Sequence, residues 1–156
     1  MGKISNHEKG KNYEKLCVAI LNRLSGGLDL EHIKPQQKIV GAAGAYITFD
    51  GVSKQSSDGQ LVILEFRCTI ERQKQSAIAT IESYIRDVGA AKGIIVTNQE
   101  LQSGAKKYAS HHGISHYQLP ESCTESNFFM KCDDKHFVGI PSIGECSNFG
   151  KAHIGQ

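Results

Sequence analysis

Three residues near the middle of the chain have types and spacing suited to phosphate chemistry: Asp50, Glu65 and Arg67. Glu65 interrupts the aliphatic run Leu61-Val62-Ile63-Leu64-Glu65-Phe66, where an unpaired carboxylate is costly. Alternation along a strand puts Glu65 and Arg67 on one face and Phe66 on the other. Asp50 follows Tyr46-Ile47-Thr48-Phe49 and precedes Gly51-Val52. If these two strands pair, both carboxylates meet at one end of a sheet. Two carboxylates there make a hard oxygen site suited to Mg²⁺, which takes few protein oxygens and keeps several waters. The plainer reading of the same residues is an ion pair, since an acid and a base two apart on a strand commonly neutralise each other.

Other chemistries find less support. The chain carries no phosphate-cradling P-loop, no dinucleotide fingerprint and no serine nucleophile elbow, and no organic cofactor is expected. Gly41 and Gly44 form a G-x-x-G, but a strand follows rather than a helix, so they ease a tight turn or a close backbone approach. The five cysteines are odd in number and include no C-x-x-C pair, which argues for buried or inert thiols. His111-His112 ends a helical pattern, where imidazolium suits the helix dipole, and has no ligand partner at metal spacing.

The elements that must position the three residues are legible from periodicity. Tyr13, Leu16, Cys17, Ile20 and Leu24 recur at helical spacing over Glu8 to Leu24, and Ser25-Gly26-Gly27 ends that helix. Lys38-Ile39-Val40 and Tyr46-Ile47-Thr48-Phe49 are short β-prone runs, and Ser53 to Gln60 reads as a turn or loop. Leu61 to Phe66 is the strongest strand, apolar on both faces and therefore central. Ala77, Ile78, Ile81, Tyr84, Ile85 and Val88 stripe a second helix, which Gly89 closes. A buried strand at Gly93 to Thr97, a helix over Gln99 to His112 and a strand at Ile114 to Leu119 follow. Phe128-Phe129-Met130 and His136 to Ile140, around Asp133-Asp134, predict a hairpin added to the sheet edge. Residues 142–156, rich in Gly and Ser, read as partly disordered. Antiparallel strands followed by right-handed crossovers give an α/β fold with a mixed central β-sheet flanked by helices.

At 156 residues the chain suits one domain, with residues 1–120 as its core and 121–156 as the hairpin and tail of the same domain. No apolar run approaches the roughly 18 to 20 residues that span a bilayer, and the polar start lacks a secretory stretch, so a cytoplasmic protein without membrane contact is expected. Residues 1–119 hold 15 Lys and Arg against 11 Asp and Glu, while the remainder holds three against five. A mildly basic core permits nucleic-acid binding without demanding it.

The order of these pieces resembles the PD-(D/E)xK restriction endonuclease-like superfamily, nearest its Mrr-type branch. The likeness runs through Tyr13-Glu14, Val40-Gly41 to Gly44, Ile47 to Asp50, Ile63 to Arg67, Asp87 to Thr97, Leu101 to Ala109 and Gly113-Ile114, from about residue 10 to 119. The resemblance implies a restriction endonuclease-like core and a Mg²⁺-dependent, or Mn²⁺-supported, deoxyribonuclease. It makes Asp50 and Glu65 metal ligands and has Glu14 face the site from the first helix, though an exposed helical Glu14 is an equal alternative. The family's usual lysine is Arg67 here. A guanidinium stays charged and cannot act as a base, but it can bind the scissile phosphate.

On this reading Asp50, Glu65 and Arg67 are catalytic, with a backbone carbonyl near Phe66 as a further metal ligand. Lys54, Arg72, Lys74 and Gln75 are candidate DNA contacts, with Gln73 near the same pocket; each is otherwise a solvated surface residue. DNA is the expected partner. A homodimer, a partner protein or the loops would have to supply specificity. The rival functions are a catalytically silent nucleic-acid-binding module, and a protein-interaction domain using the Phe128 to Ile140 hairpin as a sheet edge.

Overall fold

The computed structural model describes residues 2–132 and, as backbone, 135–138. Asp133-Asp134, Gly139-Ile140, Cys146 and the Gly- and Ser-rich stretch 142–156 lie outside the described residues. Helix α1 spans Asn6–Leu24, and Ser5 caps it by accepting the Glu8 N–H on its side-chain oxygen at 3.1 Å. A 3₁₀ turn at Ser25–Leu28 leads to strands β1 (Lys34–Val40), β2 (Tyr46–Lys54) and β3 (Leu61–Arg67). Then come helix α2 (Gln75–Val88), β4 (Lys92–Thr97), helix α3 (Ser103–His111), β5 (Ile114–Gln118), β6 (Phe129–Cys132) and β7 (Lys135–Val138).

The strands form one seven-stranded sheet in which spatial order equals chain order. β3, β4 and β5 run parallel, and every other neighbouring pair is antiparallel. This is the expected mixed sheet, and the expected hairpin is present as β6 and β7.

The sheet has two apolar faces. Val62, Leu64, Phe66, Ile94, Val96 and Tyr117 pack under Tyr13, Cys17, Ile20 and Leu24 of α1. On the opposite face Ile95 and Ile114 pack against Ile78 and Ile81 of α2 and Leu101, Ala105 and Ala109 of α3. Two helices on one face follow from the two parallel crossovers, which share one hand. The Tyr13 hydroxyl donates to the Leu119 carbonyl at 2.8 Å, tying α1 to the end of β5. Burial pushes the Tyr13 hydroxyl and the Cys17 thiol well above their usual range, and the Cys68 thiol up to about 11. Both thiols thus stay protonated at neutral pH, in keeping with the buried or inert thiols expected from the cysteine pattern.

Element ends differ from the sequence reading most at three places. β1 begins at Lys34 and passes through Pro35, which an edge strand tolerates. Ser53 and Lys54 extend β2 instead of opening the loop, because the Ser53 hydroxyl is buried and donates to the Glu31 carbonyl at 2.8 Å. α3 starts at Ser103, not Gln99. The residues before it are engaged elsewhere: Asn98 exchanges two hydrogen bonds with the Thr69 backbone, and the Gln102 N–H donates to the Gln73 carbonyl at 3.0 Å. Gly41 is a true close approach, since a Cβ there would stand 1.8 Å from Asp87 Oδ2. Among the described residues no helix is long and apolar enough to cross a membrane.

Candidate metal and phosphate site

β2 pairs with β1 as far as Tyr46, but its ladder with β3 stops at Gly51 opposite Leu64. Beyond that pair the two strands part and leave a notch at the C-terminal end of β3. Side chains take over there from the ladder. Asp50 Oδ2 accepts the Phe66 N–H at 2.9 Å, filling the place a strand carbonyl would have taken. Glu65 sits opposite Ile95 in the β3–β4 register and therefore on the face that carries α2 and α3.

Arg67, two residues beyond Glu65 on the same face, turns its guanidinium back over both acids. One nitrogen, Nη1, lies 2.9 Å from Glu65 Oε2, 3.3 Å from Asp50 Oδ2 and 3.3 Å from the Phe66 carbonyl oxygen. The sequence reading that brought Asp50 and Glu65 together, and the one that paired Glu65 with Arg67, thus describe the same cluster. Glu65 is 6% exposed, whereas the Arg67 side chain is 40% exposed. Burial, and next the charge of Asp50, raise the Glu65 carboxyl to about 7 in spite of Arg67.

Gln36 of β1 falls between the Pro35–Gly51 and Gln37–Phe49 pairs, opposite Asp50. Its φ of 50° is a left-handed conformation that a non-glycine residue adopts at a cost of about 1–3 kcal/mol. Its Nε2 donates to Glu14 Oε2 at 2.9 Å, and Lys11 Nζ stands 3.6 Å from the same oxygen. In this structure Glu14, which the family likeness has face the site, is held by Gln36 and Lys11. Among the described residues no group of three or more His, Cys, Asp or Glu is placed to hold a metal ion.

The candidate DNA contacts separate. Lys54 ends β2 opposite Leu61, at the far end of the β2–β3 ladder and about 14 Å along the strand from Asp50. Arg72, Gln73 and Lys74, by contrast, line an 840 Å³ groove with Lys9, Thr69 and Ser76, starting one residue past Arg67. Arg72 lies 3.9 Å from Glu100. Gln75 opens α2 and is exposed, its Oε1 near Gly104.

The sequence reading missed two polar features. The Asn98 clasp fixes the loop after β3, and a lone Asn behind a strand gives no signal of that. His116 on β5 lies 2.6 Å from Thr97 Oγ1 beside a 450 Å³ crevice lined by Glu100, Lys106, Gln118 and Lys131. Burial lowers the His116 imidazole to about 4, so it is neutral.

Comparison with known proteins adds the family. A crystal structure of AF1548, described as a protein of unknown function, superposes with a TM-score of 0.55 at 22% identity. The match covers 67% of this chain and 56% of that one, so the chain spans little more than half of that protein; at such identity the likeness speaks for the fold alone. Among curated proteins none matches. The family model described as restriction endonuclease, of Mrr catalytic type, matches residues 6–121, which run from the start of α1 to just past β5 and take in the whole notch. On that match, which covers most of the chain, the chain belongs to the Mrr-type restriction endonuclease family.

Proposed function

We propose that the notch is the catalytic centre of a metal-dependent endonuclease that hydrolyses DNA phosphodiester bonds. The observation that supports this is convergence: Asp50 Oδ2, Glu65 Oε2 and the Phe66 carbonyl all lie within 3.3 Å of one cationic nitrogen. Three oxygens aimed at one point, two of them from carboxyl groups, fit a hard divalent cation. So small a protein ligand set suits Mg²⁺, which retains waters, with Mn²⁺ as substitute. When bound, such an ion supplies Lewis acidity toward water and phosphate.

The chain's own groups do the rest. Asp50 and Glu65 hold the cation, and the Asp50 bond to the Phe66 N–H sets the carboxylate's orientation. Arg67 binds a non-bridging oxygen of the scissile phosphate and stabilises the charge that grows there as water adds to phosphorus and the bond to the sugar oxygen breaks. Arg67 keeps its proton throughout, so the proton of the attacking water leaves to solvent or phosphate and not to this side chain. Arg72 and Lys74 carry the adjoining phosphates along the groove.

A nicking assay on supercoiled plasmid, with Mg²⁺ and then Mn²⁺, tests this. Arg67→Lys is expected to retain or raise cleavage, since lysine can also position water, and Arg67→Ala to lose it. The Arg67 contacts to both acids favour a second reading, a silent DNA-binding module whose charges are already balanced. Wild type and Arg67→Lys both inert with either metal would select it.

A further inference from the structure

Arg67 Nη1 stands where a cation would stand. Mg²⁺ holds its oxygens at about 2.0–2.1 Å, whereas the nitrogen lies 2.9–3.3 Å from the three oxygens that point at it. An ion drawn to those oxygens falls well inside contact distance of the guanidinium, and two positive charges cannot share the place in a site where Glu65 is buried. The geometry offers Arg67 a way out: its side chain is 40% exposed, long and flexible.

We infer that the Arg67 guanidinium is the resident cation of the notch and must swing outward before a divalent ion enters, so that metal binding and presentation of Arg67 to phosphate are one event. The inference deepens the nuclease reading and rests on the same site. Arg67 also offsets the repulsion between Asp50 and Glu65, whose carboxylates it contacts together. By linkage, whatever draws Arg67 outward strengthens metal binding, and metal strengthens the binding of whatever Arg67 then meets.

The test is metal binding without DNA. Mn²⁺ affinity is measured by calorimetry and by electron paramagnetic resonance for wild type, Arg67→Ala and Arg86→Ala. Arg86, on the outer side of α2 and paired with Glu82, controls for the loss of one positive charge. Arg67→Ala should bind Mn²⁺ at least about tenfold more tightly than wild type, a small part of what like charges exert at contact. Arg86→Ala should stay within about twofold. Tighter metal together with lost cleavage is a signature that a merely structural arginine does not give.

Because Arg67→Ala leaves two acids uncompensated and can fold poorly, a second measurement uses wild type alone. In a ¹⁵N-arginine sample, the Arg67 guanidinium signals should move and lose their restricted rotation as Mg²⁺ is added. Equal Mn²⁺ affinity in wild type and Arg67→Ala, or Arg67 signals unchanged at saturating Mg²⁺, overturns the inference and leaves the nuclease reading standing. Binding by Arg67→Ala alone upholds the inference and defeats metal-dependent cleavage by the natural chain. Binding by neither defeats both.

Discussion

The β2–β3 notch and the β4–β5 crevice both hold a partly or fully buried titratable group, and they keep it in opposite ways. In the notch two carboxylates crowd together, Glu65 is raised to about 7, and a guanidinium is brought in against them. In the crevice His116 meets a hydroxyl, is lowered to about 4, and is uncharged at neutral pH. The crevice is a half-open hollow whose walls mix polar and apolar groups, and its charges neutralise one another: Lys106 pairs with Glu100. A hollow by itself therefore does not mark the site. Concentrated charge kept in a site that disfavours it needs a counter-ion, and that demand marks the chemistry.

The contrast can be broken most sharply by activity. Asp50→Asn should lower plasmid cleavage by at least about a hundredfold, the scale of removing one electrostatic support from a transition state. His116→Gln should leave cleavage within about threefold. A nicking time course for both variants checks this, and comparable losses would erase the distinction.

Stability against pH gives the next largest effect, measured in chelator so that no metal intervenes. His116 is depressed from 6.5 to about 4, so its contribution is present above pH 6.5 and is lost as pH falls toward 4. Glu65 is raised from 4.5 to about 7, so its contribution is present below pH 4.5 and is lost as pH rises through 7. Each is on the order of 3 kcal/mol at full extent. Between pH 4.5 and 6.5 the two slopes oppose, and these groups leave the wild-type profile nearly flat there. Glu65→Gln should uncover stability that rises with pH, and His116→Gln stability that falls with it. Denaturant titrations at pH 5 and 6.5 read both, and parallel profiles for the two variants would contradict the assigned environments.

The smallest effect concerns the basic residues. If Arg72 and Lys74 lie on the path of the duplex, removing either should lessen the salt dependence of DNA affinity by about one counterion. Lys54→Ala should leave the slope unchanged, since Lys54 sits at the other end of the ladder. Fluorescence anisotropy across a salt series separates these outcomes.

How much of this could be read from the chain depends on how local each signal is. Helices α1 and α2 are periodic and end at serine or glycine, and strands β3 and β4 are continuous apolar runs, so their places were clear. Asp50 and Glu65 stood out because acids beside aliphatic runs are costly and so must have a reason. Three things were not legible. The premature end of the β2–β3 ladder is a property of pairing and not of either strand. The left-handed Gln36 and its hold on Glu14 arise from a strand that meets α1 only in the folded chain. The late start of α3 reflects Asn98 and Gln102 bonding to the β3–α2 loop across the sheet end, a tertiary demand that overrides local helical pattern.

The central claim is that Asp50 and Glu65 form one cation site, and titration calorimetry with Mg²⁺ and Mn²⁺ tests it most directly. Glu65→Gln keeps the side chain's shape and removes one charge, with the fold verified by circular dichroism. The account predicts that wild type binds one divalent ion and that affinity in Glu65→Gln falls at least about tenfold, the lower range for loss of a group that supports a metal. Equal affinity in the two proteins, with both folded, would contradict it.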